Sequence, residues 1–230
     1  MCGRFTLRAS PRELVEMFEL FREPELVPRY NIAPTQQVAA VRRGERGREL
    51  TLLHWGLVPS WSKDPRMGAR MINARSETVA EKPSFRSAFR RRRCLIPANG
   101  FYEWKKLGSR AKQPVLITLE DDLPFAFAGL WEHWHGPDRT EMESCTIITT
   151  EANELLREVH DRMPVILPAR DYNRWLDPRT DQREEIEPLL VPYPADAMKY
   201  HPVSTLVNNP RNEAPECIEP LESPGTFDEN

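Results

Sequence analysis

The chain has 230 residues, 40% of them hydrophobic and 29% charged, an ordinary globular composition with enough apolar residues for one sizeable core. Its formal net charge of -3 supplies no overall attraction to nucleic acid or to an anionic membrane, so any basic surface has to come from local clustering. No apolar run approaches membrane-spanning length and the N-terminus carries no apolar signal-like stretch, so a cytoplasmic protein with reduced thiols and no membrane partner is expected.

The first predicted element is a helix over "ASPRELVEMFEL", with Ser10 as N-cap, Pro11 at the first helical position and Glu13 completing a capping box. The residues before it form a short strand or arm. "QQVAAVRR" and "ELTLLHW" flank "GERG" as a predicted hairpin, and β-rich runs follow at "RCLIPA", "FYEWKK", "PVLITLE", "FAFAGLWEHW" and "ESCTIITT". Helical patterns return at "EANELLREVH", "ARDYNRWL" and "DQREEIEPLL", and "AMKYHPVSTLV" reads as a last strand. Without an internal repeat or linker, the pattern predicts an α+β fold, a single domain on a mainly antiparallel, barrel-like sheet with flanking helices. That domain is expected over residues 1–209, with residues 210–230, rich in Pro, Glu and Asn, as a flexible tail.

Cys2, Cys94, Cys145 and Cys217 show neither C-x-x-C spacing nor a partner His at ligand spacing, so no metal is expected. Cys94 and Cys145 lie in strand-like apolar runs, where Cys packs as a small hydrophobe. Cys2 differs by position: removal of Met1, usual when the second side chain is small, would leave a 1,2-aminothiol. Its amine forms a Schiff base with an aldehyde, and its thiol then closes a five-membered thiazolidine on the same carbon. An α-amine, with a reference pKa of about 7.7 to 8.0, is partly unprotonated near neutrality, and intramolecular closure adds a large effective concentration. The alternative is a Cys that only packs. Gly3 would let a ligand approach the backbone, and Arg4 offers a phosphate fork.

His160, in "EVHDRMPVIL" at a predicted helix end, is a candidate proton donor or acceptor, the alternative being a structural His. His54, His133, His135 and His201 are less persuasive, His133 and His135 flanking Trp134 near a turn. Strand alternation puts Glu103 of "ANGFYEW" on the face of Phe101 and opposite Tyr102 and Trp104; apolar surroundings would raise its pKa toward that of a working acid, whereas a solvated face would not. Asn73 in "MINARSET" offers an amide to a sugar or carbonyl oxygen, or is a turn residue, and Arg75 a phosphate fork. The run Arg90 to Arg93, after Arg86, is either a phosphate-binding cluster or a solvated face.

Taken in order, "MCGRF", "RYNIAPTQ", "HWGLVPSW", "MINARSET", "CLIPANGFYEWKK", "FAGLWEHW", "CTIITTEAN", "HDRMPVIL" and "HPVSTLVN" resemble the SOS response-associated peptidase family, whose members shield abasic sites in single-stranded DNA. The resemblance implies covalent capture of such sites by a thiazolidine from Cys2, with Asn73 positioning amine and sugar, Glu103 as acid/base and His160 partnering the sugar oxygen or adjacent phosphate. It implies DNA-backbone contacts from Arg4, Arg75 and Arg162, and a base contact from Trp61. Where many members carry a second aromatic after that Trp, this chain has Ser62, so a weaker stacking contact is expected. The implied partner is single-stranded DNA with abasic sites, bound by a monomer that needs no cofactor and joins the nucleoid when on DNA. Lyase-like Schiff-base chemistry is implied, and the competing reading is a thiol (auto)peptidase with Cys2 as nucleophile and His160 as base.

Overall fold

The computed structural model describes residues 2–108, 111–180 and 183–221. In chain order the strands are β1 (Phe5–Leu7), β2 (Arg29–Ile32), β3 (Gln37–Gly44), β4 (Gly47–Trp55), β5 (Asn73–Arg75), β6 (Arg93–Ala98), β7 (Gly100–Leu107), β8 (Ala111–Leu119), β9 (Phe125–His135), β10 (Glu141–Glu151), β11 (Arg162–Pro164), β12 (Ile166–Leu167) and β13 (Met198–Pro202). Short helices lie between them: α1 (Pro11–Phe18), α2 (Arg86–Arg91), α3 (Glu154–Arg157), α4 (Tyr172–Leu176) and α5 (Arg183–Ile186).

α1 begins as its sequence dictates, with Ser10 Oγ accepting the Glu13 N–H and the Glu13 carboxylate accepting the Ser10 N–H. Its buried Leu14 and Phe18 face the core, and Phe18 stacks on Tyr172 of α4 at 5.3 Å.

Five strands close on themselves. β4 pairs with β3, β3 with β6, β6 with β9 and β9 with β10, all antiparallel, and β10 returns to β4 in parallel register, Ser144↔His54 and Cys145↔Trp55. The fold is therefore α+β on a mainly antiparallel barrel, with a parallel closure that the alternation of polar and apolar residues does not reveal. Rings of Phe5, Trp55 and Phe127 meet edge to face at 5.2 and 5.7 Å, and the buried Trp55 Nε1–H donates to the Ile72 carbonyl. Gly129 on β9 is required because a Cβ there would stand 2.9 Å from Cys94 Sγ and from Ile96. That contact fixes Cys94 as a packing residue.

A second antiparallel sheet, ordered β13-β8-β7-β1-β2, lies against the barrel. The chain crosses between the two at Asn99, whose N–H donates to Thr6 and whose Oδ1 accepts the N–H groups of Arg8 and Ala9. β1 is thereby clamped between β2 and β7, so the N-terminal arm enters the middle of the sheet.

Several predicted elements are shorter than their patterns. "EANELLREVH" supplies only the one-turn helix α3, because Val159 and His160 close back on the Leu156 carbonyl and Pro164 follows. "AMKYHPVSTLV" is a strand only to Pro202, after which Thr205–Asn208 form a 3-10 turn. "MINARSET" contributes a strand, β5, where a turn was the ordinary expectation.

Of the expected flexible tail, residues 222–230 lie outside the described residues, while residues 211–221 dock. Glu213 accepts the N–H groups of Tyr30 and Asn31 and pairs with Arg29 at 2.9 Å, and Cys217 is buried. Among the described residues no helix is long and apolar enough to cross a membrane.

Candidate functional site

The arm that carries Cys2 continues the β1 ladder: the Arg4 carbonyl accepts the Tyr102 N–H at 2.9 Å, one step beyond Phe5↔Phe101. Two residues further along the arm, Cys2 lies within electrostatic reach of Glu103 of β7. Cys2 is fully buried in the main core, and burial pushes its thiol well above the ordinary value, the Glu103 carboxylate adding to the effect. In this environment the sulfur is a neutral thiol.

β7 alternates as expected. Phe101 joins the main core, Tyr102 packs with Leu116, Val203 and Val207 on the other side, and Glu103, only 6% exposed, is not on a solvated face. Desolvation pushes the Glu103 carboxyl up to about 7. A carboxyl there exchanges its proton readily near neutrality.

His160 meets Glu103 across a cleft of about 630 Å³ that both line, together with Trp104, Lys106, Lys112 and Asp161. The His160 N–H donates to Leu156, which holds the residue at the end of α3. Its Nδ1 accepts the Arg162 N–H at 2.9 Å, which leaves the neutral ring's proton on Nε2. The Asp161 carboxylate, 2.7 Å from Nδ1, favours the charged ring, but burial outweighs it and the His160 pKa is lowered. The ring is therefore neutral at neutral pH.

Asn73 lies on β5, in parallel register with Ile147 of β10. Its Nδ2 donates to the Ile72 carbonyl, while its Oδ1 is buried and has no hydrogen-bond partner among the described residues. An unpartnered buried acceptor costs about 1–3 kcal/mol, so this oxygen does not stabilise the fold as it stands. Arg75, two residues on, is exposed, and its charge helps to hold the Glu77 carboxyl low.

The other two arginines are engaged inside the protein. Arg162 grips Glu77 with both nitrogens at 2.5 and 3.0 Å and the Thr149 carbonyl at 2.6 Å. Arg4 donates to Asn31 Oδ1 and the Val207 carbonyl, and its guanidinium lies 5.8 Å over Trp104. Asn31 in turn donates to the carbonyls of Val207, Asn209 and Asn212, so Arg4 also fastens the returning C-terminal segment.

Trp61 is 57% exposed and stands apart from the cleft, its Nε1–H directed to the Pro83 carbonyl. Ser62 turns inward: its Oγ bonds the Asp64 backbone and its carbonyl accepts the Trp134 Nε1–H. The difference from an aromatic at this position therefore falls on a buried turn, not on an exposed surface.

The arginine run divides. Arg93 is buried, donating to the carbonyls of Phe89, Arg90, Trp175, Asp177 and Thr180, and Arg92 pairs with Glu132 at 2.7 Å. Arg86, Arg90 and Arg91 line a different cleft with Arg183. Sequence reasoning passed over Trp104, Lys106 and Lys112. The two lysines sit directly opposite on β7 and β8, an arrangement that repels unless an anion enters, and only strand pairing reveals it.

A closed barrel with a second sheet against it, in which the N-terminal arm runs between two strands and buries a cysteine near a carboxyl of raised pKa, with a histidine across a cleft, defines a small α+β protein. The chain belongs to the SOS response associated peptidase (SRAP) family, whose model matches residues 1–210. It is 46% identical over 222 residues to abasic site processing protein YoqW of Bacillus subtilis (strain 168), across 95% of this chain and 99% of that protein. It is 36% identical over 198 residues to abasic site processing protein HMCES of Xenopus tropicalis, across 74% of this chain and 57% of that protein. A solved protein from Bacteroides thetaiotaomicron superposes with a TM-score of 0.86 at 25% identity, over 96% of this chain and all of that one, and a phage-related protein from Bordetella bronchiseptica with 0.71 at 33% identity, over 88% and 94%.

Proposed function

We propose that this chain, once Met1 is removed, captures abasic sites in single-stranded DNA as a thiazolidine on Cys2. The observation that carries the reading is Glu103, a buried carboxyl with a pKa raised to about 7, next to the residue whose amine and thiol the reaction needs. An abasic site is a closed sugar in equilibrium with an aldehyde. Glu103 donates a proton to the ring oxygen as the ring opens and recovers one from the C1 hydroxyl that becomes the aldehyde, and the Cys2 amine then adds to the aldehyde carbon, one of its protons passing to the oxygen. Loss of the carbinol oxygen as water, with a proton from Glu103, gives an iminium, which returns its proton to the Glu103 carboxylate and becomes the imine. The thiol sulfur then bonds to the same carbon and its proton passes to the nitrogen, so aldehyde and aminothiol give thiazolidine and one water.

The remaining residues fit supporting roles. The neutral His160 Nε2–H suits a sugar oxygen or phosphate, and Asn73 Oδ1 suits the amine as acceptor. Lys106, Lys112 and the exposed Arg75 suit the DNA backbone, and Trp104 a neighbouring base. The relatives named as abasic site processing proteins agree with this substrate. A thiol peptidase is the weaker reading, because it needs a thiolate, and both burial and Glu103 oppose one at Cys2.

Intact mass of the protein, before and after incubation with a single-stranded oligonucleotide carrying one abasic site, tests the proposal. Expected is a mature chain lacking Met1 that gains the oligonucleotide mass less one water. A chain that retains Met1 and still gains that mass would overturn amine attack.

Asn73→Ala separates function from folding. It removes a buried acceptor without a partner and one bond to the Ile72 carbonyl, which still accepts Trp55 Nε1–H and the Ile147 N–H, so thermal stability should change by no more than about 1 kcal/mol. The rate of adduct formation should fall about tenfold or more, since the group that orients the amine is gone. A variant that loses stability but keeps its rate would make Asn73 structural.

A further inference from the structure

We propose that the turn end of the β9–β10 hairpin is a binding site for a divalent transition-metal ion, Zn²⁺ foremost, held by His133, His135 and Glu141. Spacing of two along β9 puts the histidines on one face. Trp134 between them goes to the other face, 2% exposed, with its Nε1–H on the Ser62 carbonyl, and this anchors the roll of the strand. Register supplies the third group: Glu141 is directly opposite His135 and diagonal to His133.

The distances fit a shared ion better than hydrogen bonds. His133 Nε2 is 3.4 Å from one Glu141 oxygen and His135 Nε2 is 3.3 Å from the other. Both exceed the usual N–H···O length of about 2.9–3.0 Å. Tetrahedral zinc with ligand bonds of about 2.0–2.1 Å has ligand-to-ligand edges of about 3.3–3.4 Å. The two rings lie 4.2 Å apart, and the ligand atoms of all three side chains fall within 4.8 Å of one another, close enough for one ion to reach them all. Glu143, opposite His133, is committed to Arg42 at 2.6 Å, so the set is two histidines and one carboxylate with an open position for water. All three side chains are at least 39% exposed, which gives the ion a path in.

The site is independent of the capture chemistry. Glu141 lies about 20 Å along β10 from Ile147, the partner of Asn73. A bound ion would staple the two strands on either side of the hairpin turn.

The test uses the full chain stripped with a chelator, titrated with Zn²⁺ by calorimetry and with Co²⁺ by absorption. Expected is one Zn²⁺ per chain, a raised melting temperature and a Co²⁺ visible band without thiolate charge transfer. His135→Ala and Glu141→Gln should each weaken binding by about tenfold or more, with abasic-site capture unchanged. Absent binding, a thiolate band, or equal affinity in the His133→Ala/His135→Ala double variant would overturn the assignment. Glu141→Gln keeps the shape of the hairpin, so its result stands even if the double variant is unstable.

Discussion

Cys2→Ala protein, mixed with single-stranded DNA bearing an abasic site, is expected to give no adduct that survives heat and denaturant, while the parent chain converts to one. Alanine is also small enough for Met1 removal, so the variant keeps the α-amine and can still form an imine. It lacks only the trap. Borohydride should therefore rescue the Cys2→Ala adduct by reducing the imine, and Cys2→Ser should behave similarly, because an oxazolidine reverts easily. The gap should be large: a positioned intramolecular thiol acts at an effective concentration of about 10⁵ M or more. Cys2 is fully buried in the core, so a modest stability loss of about 1 kcal/mol is expected and should be measured alongside. A heat-stable adduct from unreduced Cys2→Ala would remove the thiol from the mechanism. Failure of borohydride to trap that variant would remove the amine.

What could be read in advance divides along a physical line. Alternation along "FYEWKK" put Glu103 on the Phe101 face, and period alone was enough because β7 is a regular strand with one side on the core. The capping box at Ser10 was likewise local chemistry. Barrel closure was hidden, since it depends on β10 meeting β4, strands some ninety residues apart that no turn residue connects. Pairing across strands was hidden for the same reason. It places Lys106 against Lys112 and Glu141 against His135, and neither juxtaposition has a signature along the chain.

Residue type alone does not say what an arginine holds. Arg4 reads as a phosphate fork by residue type, Arg162 only through the family resemblance, and Arg93 as part of a run that could equally be a solvated face; the fork that fits a phosphate also fits a carboxylate or a set of carbonyls. Arg162 meets Glu77, and Arg93 meets carbonyls at the ends of α2 and α4. For DNA to use Arg162 it would have to displace Glu77, a carboxylate 50% exposed on its side chain and so open to competition. Asn73 shows the opposite case, a residue whose plain sequence reading was a turn and whose structural mark is an acceptor left without a donor.

Glu103→Gln is expected to slow adduct formation by about 10²–10⁴-fold, the usual contribution of a positioned general acid, and to change the pH profile in a way that loss of packing would not. In the parent chain two titrations limit the rate. The amine must be neutral to attack, so the rate rises with pH until about 7.7–8.0. Glu103 must hold its proton to donate it, and with a pKa of about 7 the rate falls above neutrality. The profile is therefore bell-shaped with a maximum between the two values, and Glu103→Gln should abolish the falling limb while leaving the rising one. Stability changes with the opposite economy. The folded chain holds the Glu103 proton up to about 7, while the unfolded chain releases it near the ordinary carboxyl value of 4.5. The stability contribution of this group is thus present below that lower value, lost as pH rises through about 7, and flat beyond. The difference is on the order of 3 kcal/mol, from about 1.36 kcal/mol per pKa unit at a group almost wholly buried. Glutamine, neutral at every pH, should make the variant more stable than the parent chain at alkaline pH even as it captures abasic sites more slowly. Denaturant melts at acid and alkaline pH, run beside the rate profiles, test both halves; a variant that is slower only because it is less stable would take Glu103 out of the chemistry.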